Sequence, residues 1–246
     1  MKKILKIILI VLAASLLLGA AGFVIWAETP SQPQAAALAA LKSDAQVTVT
    51  ETDQYLTFAP AKGAATIGFI FYPGGRVDYR AYAPILHQIA AEGYLVALVP
   101  VRLNLAFFDL EAGAPVLRDF PQIQTWAVGG HSLGGVAASI FAPQAPEVKG
   151  LVFWASYPAD DKLKNSSLKM LSISGTLDGL ATPDKIEASK ANLPAETRFI
   201  PIPGANHGQF GDYGPQSGDN PATISPEDQW QQTAAATVKF LQSLQP

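Results

Sequence analysis

The 246 residues are 49% apolar and 15% charged, with three histidines, no cysteine and a net charge of −3. A chain of this length buries a substantial core, the composition does not suit disorder, and the missing cysteine removes disulfides, thiolate metal sites and a cysteine nucleophile. Lys2, Lys3 and Lys6 supply +3 within the first 27 residues, which hold no acid, so the remainder carries −6 and makes a poor nucleic-acid binder.

Beyond those lysines, residues 7–27 run without a charge. That is about the 20 residues needed to cross a bilayer. Trp26 falls where an interfacial aromatic belongs. A cleaved signal peptide has a shorter apolar region of about 7–15 residues, and a cut after Ala27 would place Ile25 where a small residue is wanted. Residues 1–27 are therefore expected to be a retained transmembrane anchor. Its lysines stay in the cytoplasm and the rest of the chain faces outward, as a single-pass protein of the cell membrane. Residues 28–42 read as a linker or short helix, and 43–246 as one domain.

Within that domain AQVTVT and QYLTFAP alternate in polarity around ETD, which predicts an antiparallel hairpin. TIGFIFY, residues 66–72, is a continuous apolar run of strand length and suggests burial on both faces, as in a parallel sheet. A helix is expected over about 79–92, with Asp78 as N-cap and Gly93 as its end. YLVALVP is the next strand, followed by an irregular segment and short helix over 101–121. TWAVGG is a strand and 133–142 a helix. GLVFWAS and LKMLSIS are strands, and Thr182-Pro183 opens a helix. TRFIPI is the last strand, and a helix over about 226–244 closes the chain. This alternation predicts an α/β fold, a mostly parallel sheet covered by helices on both faces behind an N-terminal antiparallel hairpin. Only about a dozen residues, 157–167, separate GLVFWAS from LKMLSIS, too few for a separate lid.

The chemistry concentrates where TWAVGG ends. Gly130-His131-Ser132-Leu133-Gly134 has the form G-x-S-x-G between a strand and a helix. A turn that sharp forces the serine into strained backbone and lifts its hydroxyl to the carboxyl end of the sheet. The flanking glycines let strand and helix approach closely, and the Leu133 N–H, at the helix start, is placed to donate to an oxyanion. A serine hydroxyl needs a base. His131 is adjacent, and neighbouring side chains diverge on a tight turn. His87 is expected on the solvent face of its helix. His207 lies in PGANHGQFGDYG, past the last strand at the same sheet edge. The base in turn needs an acid. Asp178 follows LKMLSIS in SGTLDGL, with Asp184, and more weakly Asp160 and Asp161, as rivals. An aspartate in the position of Asp184, in a helix's first turn, is explained by the helix dipole. Phe107 and Phe108 are expected either to line an acyl pocket or to join the core. The polar stretch after His207 is either a rim over the site or a surface connection. Arg76 and Asp78 either pair with each other or meet a substrate.

From about Thr66 onward the chain resembles an α/β-hydrolase. More narrowly it resembles the lid-less, membrane-tethered bacterial proteins near the dienelactone hydrolases. FYPGGRVDYRAY, GGHSLGG, SGTLDGLATPDKI and GANHGQFGDYG carry the likeness. It implies a triad of Ser132, Asp178 and His207 in the family's chain order. It also implies a second oxyanion donor in Pro73–Arg76, the N–H of Gly75 or of Arg76. Dienelactone hydrolases proper use a cysteine nucleophile, so their substrate does not carry over. The expected activity is hydrolysis of a small-molecule carboxylic ester through an acyl-enzyme, with no metal or organic cofactor. The alternatives are an acyltransferase or peptidase on the same triad, or a binding module on a hydrolase scaffold. Oligomeric state has no signature in the sequence.

Overall fold

The computed structural model describes residues 2–245. Met1 and Pro246, the outer ends of the expected anchor and domain, lie outside the described residues. In chain order the elements are α1 (Lys2–Ala27), α2 (Ala35–Ala40), β1 (Val47–Glu51), β2 (Leu56–Pro60), β3 (Ile67–Tyr72), α3 (Ala83–Ala91), β4 (Leu95–Leu98) and α4 (Ala114–Asp119). They continue with β5 (Thr125–His131), α5 (Leu133–Phe141), β6 (Val148–Trp154), β7 (Lys169–Gly175), α6 (Pro183–Ser189), β8 (Arg198–Ile202) and α7 (Pro226–Gln242).

The strands form one sheet in the order β1-β2-β4-β3-β5-β6-β7-β8. β1 and β2 are the expected hairpin, β2 also runs antiparallel to β4, and every pair from β4 through β3 to β8 is parallel. β3 is buried throughout because successive side chains serve opposite faces. Phe69 and Phe71 join Tyr82, Trp154 and α7 on one side. Ile70 and Tyr72 join Trp126, Val128 and α5 on the other. The parallel arrangement brings the loops after β3, β4, β5, β6, β7 and β8 to one carboxyl edge, where ligands bind in open α/β sheets.

Two local expectations change, and a third is made specific. The helix expected over 79–92 begins as a 3₁₀ turn, Tyr79–Tyr82, capped by the Asp78 carboxylate on Arg80 N–H, and becomes α-helical only from Ala83. His87 is not on open surface: its side chain is 16% exposed, beside Asp44 at 3.6 Å and the Phe58 ring. Residues 28–42, expected as a linker or short helix, hold the short helix α2 and dock on the body. Ser31 bridges Val77, Ala37 is buried, and the Ala37 N–H donates to Asp212 at 2.8 Å.

α1 is long and apolar enough to cross a membrane. Its side chains from Lys3 to Trp26 are exposed and only Ala27 is buried, so it is not a core helix.

Candidate active site

Ser132 sits between β5 and α5 with φ 50° and ψ −119°. Strain of this kind persists only where the surroundings impose it. A Cβ on Gly134 would fall on the carbonyl oxygens of Tyr72 and Pro73, and one on Gly130 would meet the Gly134 backbone. Glycine is thus required at both flanks for α5 to approach β3 and β5. The serine backbone is held on both sides: its N–H donates to Trp154 O at 3.0 Å, and its carbonyl accepts from the Ser156 hydroxyl at 2.6 Å.

His207 Nδ1 lies 2.8 Å from Asp178 Oδ2, and both side chains are buried. Asp178 Oδ1 accepts from the N–H groups of Leu180 and Ala181 at 2.8 and 2.7 Å. Those two bonds fix the carboxylate, whose second oxygen orients the imidazole with Nδ1 as donor. The opposite nitrogen, Nε2, is buried without a protein partner. His207 lines a hollow of about 230 Å³ together with Ser132, Leu133, Tyr157 and Leu180, and no hydrogen bond joins its Nε2 to the Ser132 hydroxyl. A larger hollow of about 530 Å³ lies at the amino edge around Val148 and Lys169, but no histidine or carboxylate lines it.

The rivals lie elsewhere. Asp184 is exposed in the first turn of α6, and Asp160 is spent on Lys162 at 2.7 Å; Asp161 is also exposed.

The Leu133 N–H opens α5. It has no acceptor among the described residues. Gly75 is beside it, since a Cβ there would stand 3.0 Å from Leu133 Cδ2. The Gly75 N–H also has no acceptor among the described residues, whereas the Arg76 N–H already donates to Asn104 O at 2.7 Å. Of the two N–H groups expected from the sequence, only that of Gly75 remains unspent. Arg76 and Asp78 do not pair. The Arg76 guanidinium donates to Trp26 O at 2.9 Å and Thr29 O at 2.8 Å, while Asp78 takes Arg80. Phe107 and Phe108 are neither core nor lining of the hollow, being 50% and 51% exposed.

A family model described as the alpha/beta hydrolase family matches residues 68–231. The chain belongs to the alpha/beta hydrolase family. A search of curated proteins finds no match.

This alpha/beta hydrolase carries supports that sequence reasoning missed. The Asp219 carboxylate accepts from Gly179 N–H at 2.9 Å and Gly208 N–H at 2.8 Å. It therefore ties the residue after Asp178 to the residue after His207. The long polar loop is a brace between two loops rather than only a surface connection, and nothing in its composition marks that carboxylate out.

Tyr82 Oη accepts from Gly74 N–H at 2.9 Å and lies 2.8 Å from His131 Nδ1. Burial holds the phenol protonated, so the hydroxyl donates to His131. Burial, and then the adjacent His207, hold His131 well below the ordinary histidine range, so it is neutral. Its ring centroid is 4.5 Å from that of His207. Tyr82 and His131 thus link the loop after β3 to the wall against which His207 rests. Neither motif nor spacing revealed the link. Among the described residues no cluster of three or more His, Asp or Glu side chains is placed to hold a metal ion.

Proposed function

We propose that this alpha/beta hydrolase is a serine ester hydrolase, anchored by α1 with its body outside the cytoplasm. The observation that carries the reading is the buried His207–Asp178 pair, in which Nε2 is unspent and His207 lines the same hollow as Ser132.

In the proposed reaction Ser132 Oγ attacks the ester carbonyl as its proton passes to His207 Nε2. The carbonyl electron pair moves onto oxygen, where the N–H groups of Leu133 and Gly75 stabilise it. Asp178 stabilises the imidazolium without taking the proton. Collapse breaks the bond to the alcohol, which leaves with the proton from His207. Water then attacks the acyl-serine, gives a proton to His207, and the second collapse releases the acid and restores Ser132.

Within the family, the absence of any helix or strand in residues 155–168 supports the lid-less part of the proposed place near the dienelactone hydrolases. Three lysines at the outer end of α1 support a cytoplasmic N-terminus.

The test is hydrolysis of graded p-nitrophenyl esters by the full chain and by Ser132→Ala. Loss of the nucleophile lowers kcat by about 10⁴-fold or more. Undiminished turnover by Ser132→Ala would sink the reading.

A further inference from the structure

The last turn of α1 is built into the edge that carries Ser132. Its carbonyls at Trp26 and Ala27 accept from the Arg76 and Asn104 side chains, and the Arg76 guanidinium stacks 4.3 Å from the Trp26 ring centre. Arg76 adjoins Gly75, so the helix ends one residue from the oxyanion loop. Phe23, one turn earlier, meets Phe108 with ring centroids 6.1 Å apart. Apart from its last two turns α1 stands clear of the body. A helix spanning a bilayer and ending here brings the carboxyl edge of the sheet to the membrane surface.

Two further observations agree. Phe107 and Phe108 are half exposed on a 3₁₀ turn next to that helix end. The hollow at Ser132, about 230 Å³, falls below the roughly 300 Å³ at which sites for drug-sized ligands begin. A larger substrate must extend out of it. From Leu133 in its wall, apolar side chains lead out: Leu133 and Leu105 both lie within 3.5 Å of a Cβ placed on Gly75. Leu105 opens the turn bearing Phe107 and Phe108.

We propose that Phe107 and Phe108 seat this edge in the membrane surface, and that the substrate is an ester whose alkyl chain stays in the leaflet. This rests on the serine-hydrolase and anchor readings. The occupant of the aromatic pair is lipid because the patch is continuous with α1.

The chain has no cysteine, so Phe108→Cys and, at the opposite edge, Lys149→Cys each accept a single thiol-reactive fluorophore. Both are placed in the full chain in phosphatidylcholine vesicles. Quenching at 108 by brominated lipid and at 149 by aqueous iodide is expected. Iodide quenching at 108 would overturn the seat. Shielding of 108 from both quenchers would also overturn it, by showing a second copy or another protein there.

The ester is tested with the Phe107→Ser/Phe108→Ser double variant, using p-nitrophenyl palmitate in vesicles and p-nitrophenyl acetate in water. A roughly tenfold loss on palmitate alone is expected. Equal effects on both esters would overturn the substrate class. If the wild type turns over neither, the hydrolase reading fails and takes the substrate class with it, while the quenching still decides the seat.

Discussion

Ser132 and Arg76 hold nearly the same backbone angle, φ 50° and 55°, for opposite reasons. At Ser132 the constraint is local. Gly130 and Gly134 let β5, α5 and β3 crowd together, and the serine sits in the turn between them. Arg76 also follows two closely packed glycines, Gly74 and Gly75, but its own side chain and N–H reach much further. The angle is maintained by partners far away in sequence: Asn104 O on its N–H, and Trp26 and Thr29 carbonyls on its guanidinium. Leu103 and Asn104, in the facing loop, also have positive φ. The elbow is strained by its own sequence, and the junction by what docks on it.

The sharpest way to test that contrast is to crowd the elbow. Gly134→Ala places a methyl on two carbonyl oxygens of the main chain, neither of which can rotate away. The expected cost is about 3 kcal/mol or more, at the upper end of overpacking. Thermal or denaturant unfolding of the full chain in detergent measures it, and a cost under about 1 kcal/mol would show that α5 can shift.

The junction should respond differently. Arg76→Ala removes two hydrogen bonds and a cation–π contact at a partly exposed site, worth roughly 1–2 kcal/mol together. Reactivity should fall as well, by about tenfold in kcat, because misplacing the Gly75 N–H removes the transition-state stabilisation proposed for it. Arg76→Lys should not restore it, since an ammonium lacks the planar fork that reaches two carbonyls. A kcat equal to wild type would detach the junction from the chemistry.

Asp219→Ala probes an intermediate case, a brace supplied by a loop near in space to two others. It leaves the Gly179 and Gly208 N–H groups without that carboxylate. About 1–2 kcal/mol and a several-fold drop in kcat are expected, with KM for a short ester little changed.

A pH-dependent effect lies behind the elbow. His131 is neutral when folded and titrates near 6.5 when unfolded. Below about pH 6.5 the unfolded chain binds the additional proton, so stability falls as pH falls, by up to about 1.4 kcal/mol per unit from this group. His131→Asn keeps an acceptor for Tyr82 and should give a shallower decline in unfolding free energy between pH 7 and 5. An unchanged slope would remove His131 from the account.

The same contrast governs what the sequence disclosed. β3 was legible because its five apolar residues and one glycine, with no charge or polar alternation, suit burial on both faces. The elbow was legible because the glycines that permit it lie within two residues of Ser132. His207 and Asp178 were legible because each follows a strand at the carboxyl edge. Tyr82, Asp219 and the docking of α1 on Arg76 were not. Their partners are separated by 8 to 50 residues, and no local pattern encodes which carbonyl or N–H they will meet. His87 was misread for the same reason: helical periodicity gives its direction on α3, but not the Phe58 and Asp44 side chains that cover it.

The most direct measurement is intact-mass analysis of the full chain in detergent after exposure to a fluorophosphonate, beside Ser132→Ala and His207→Ala. The account predicts one adduct on the wild type, none on Ser132→Ala, and none within the same interval on His207→Ala. A folded wild type that takes no adduct, or an adduct that persists in Ser132→Ala, would contradict it.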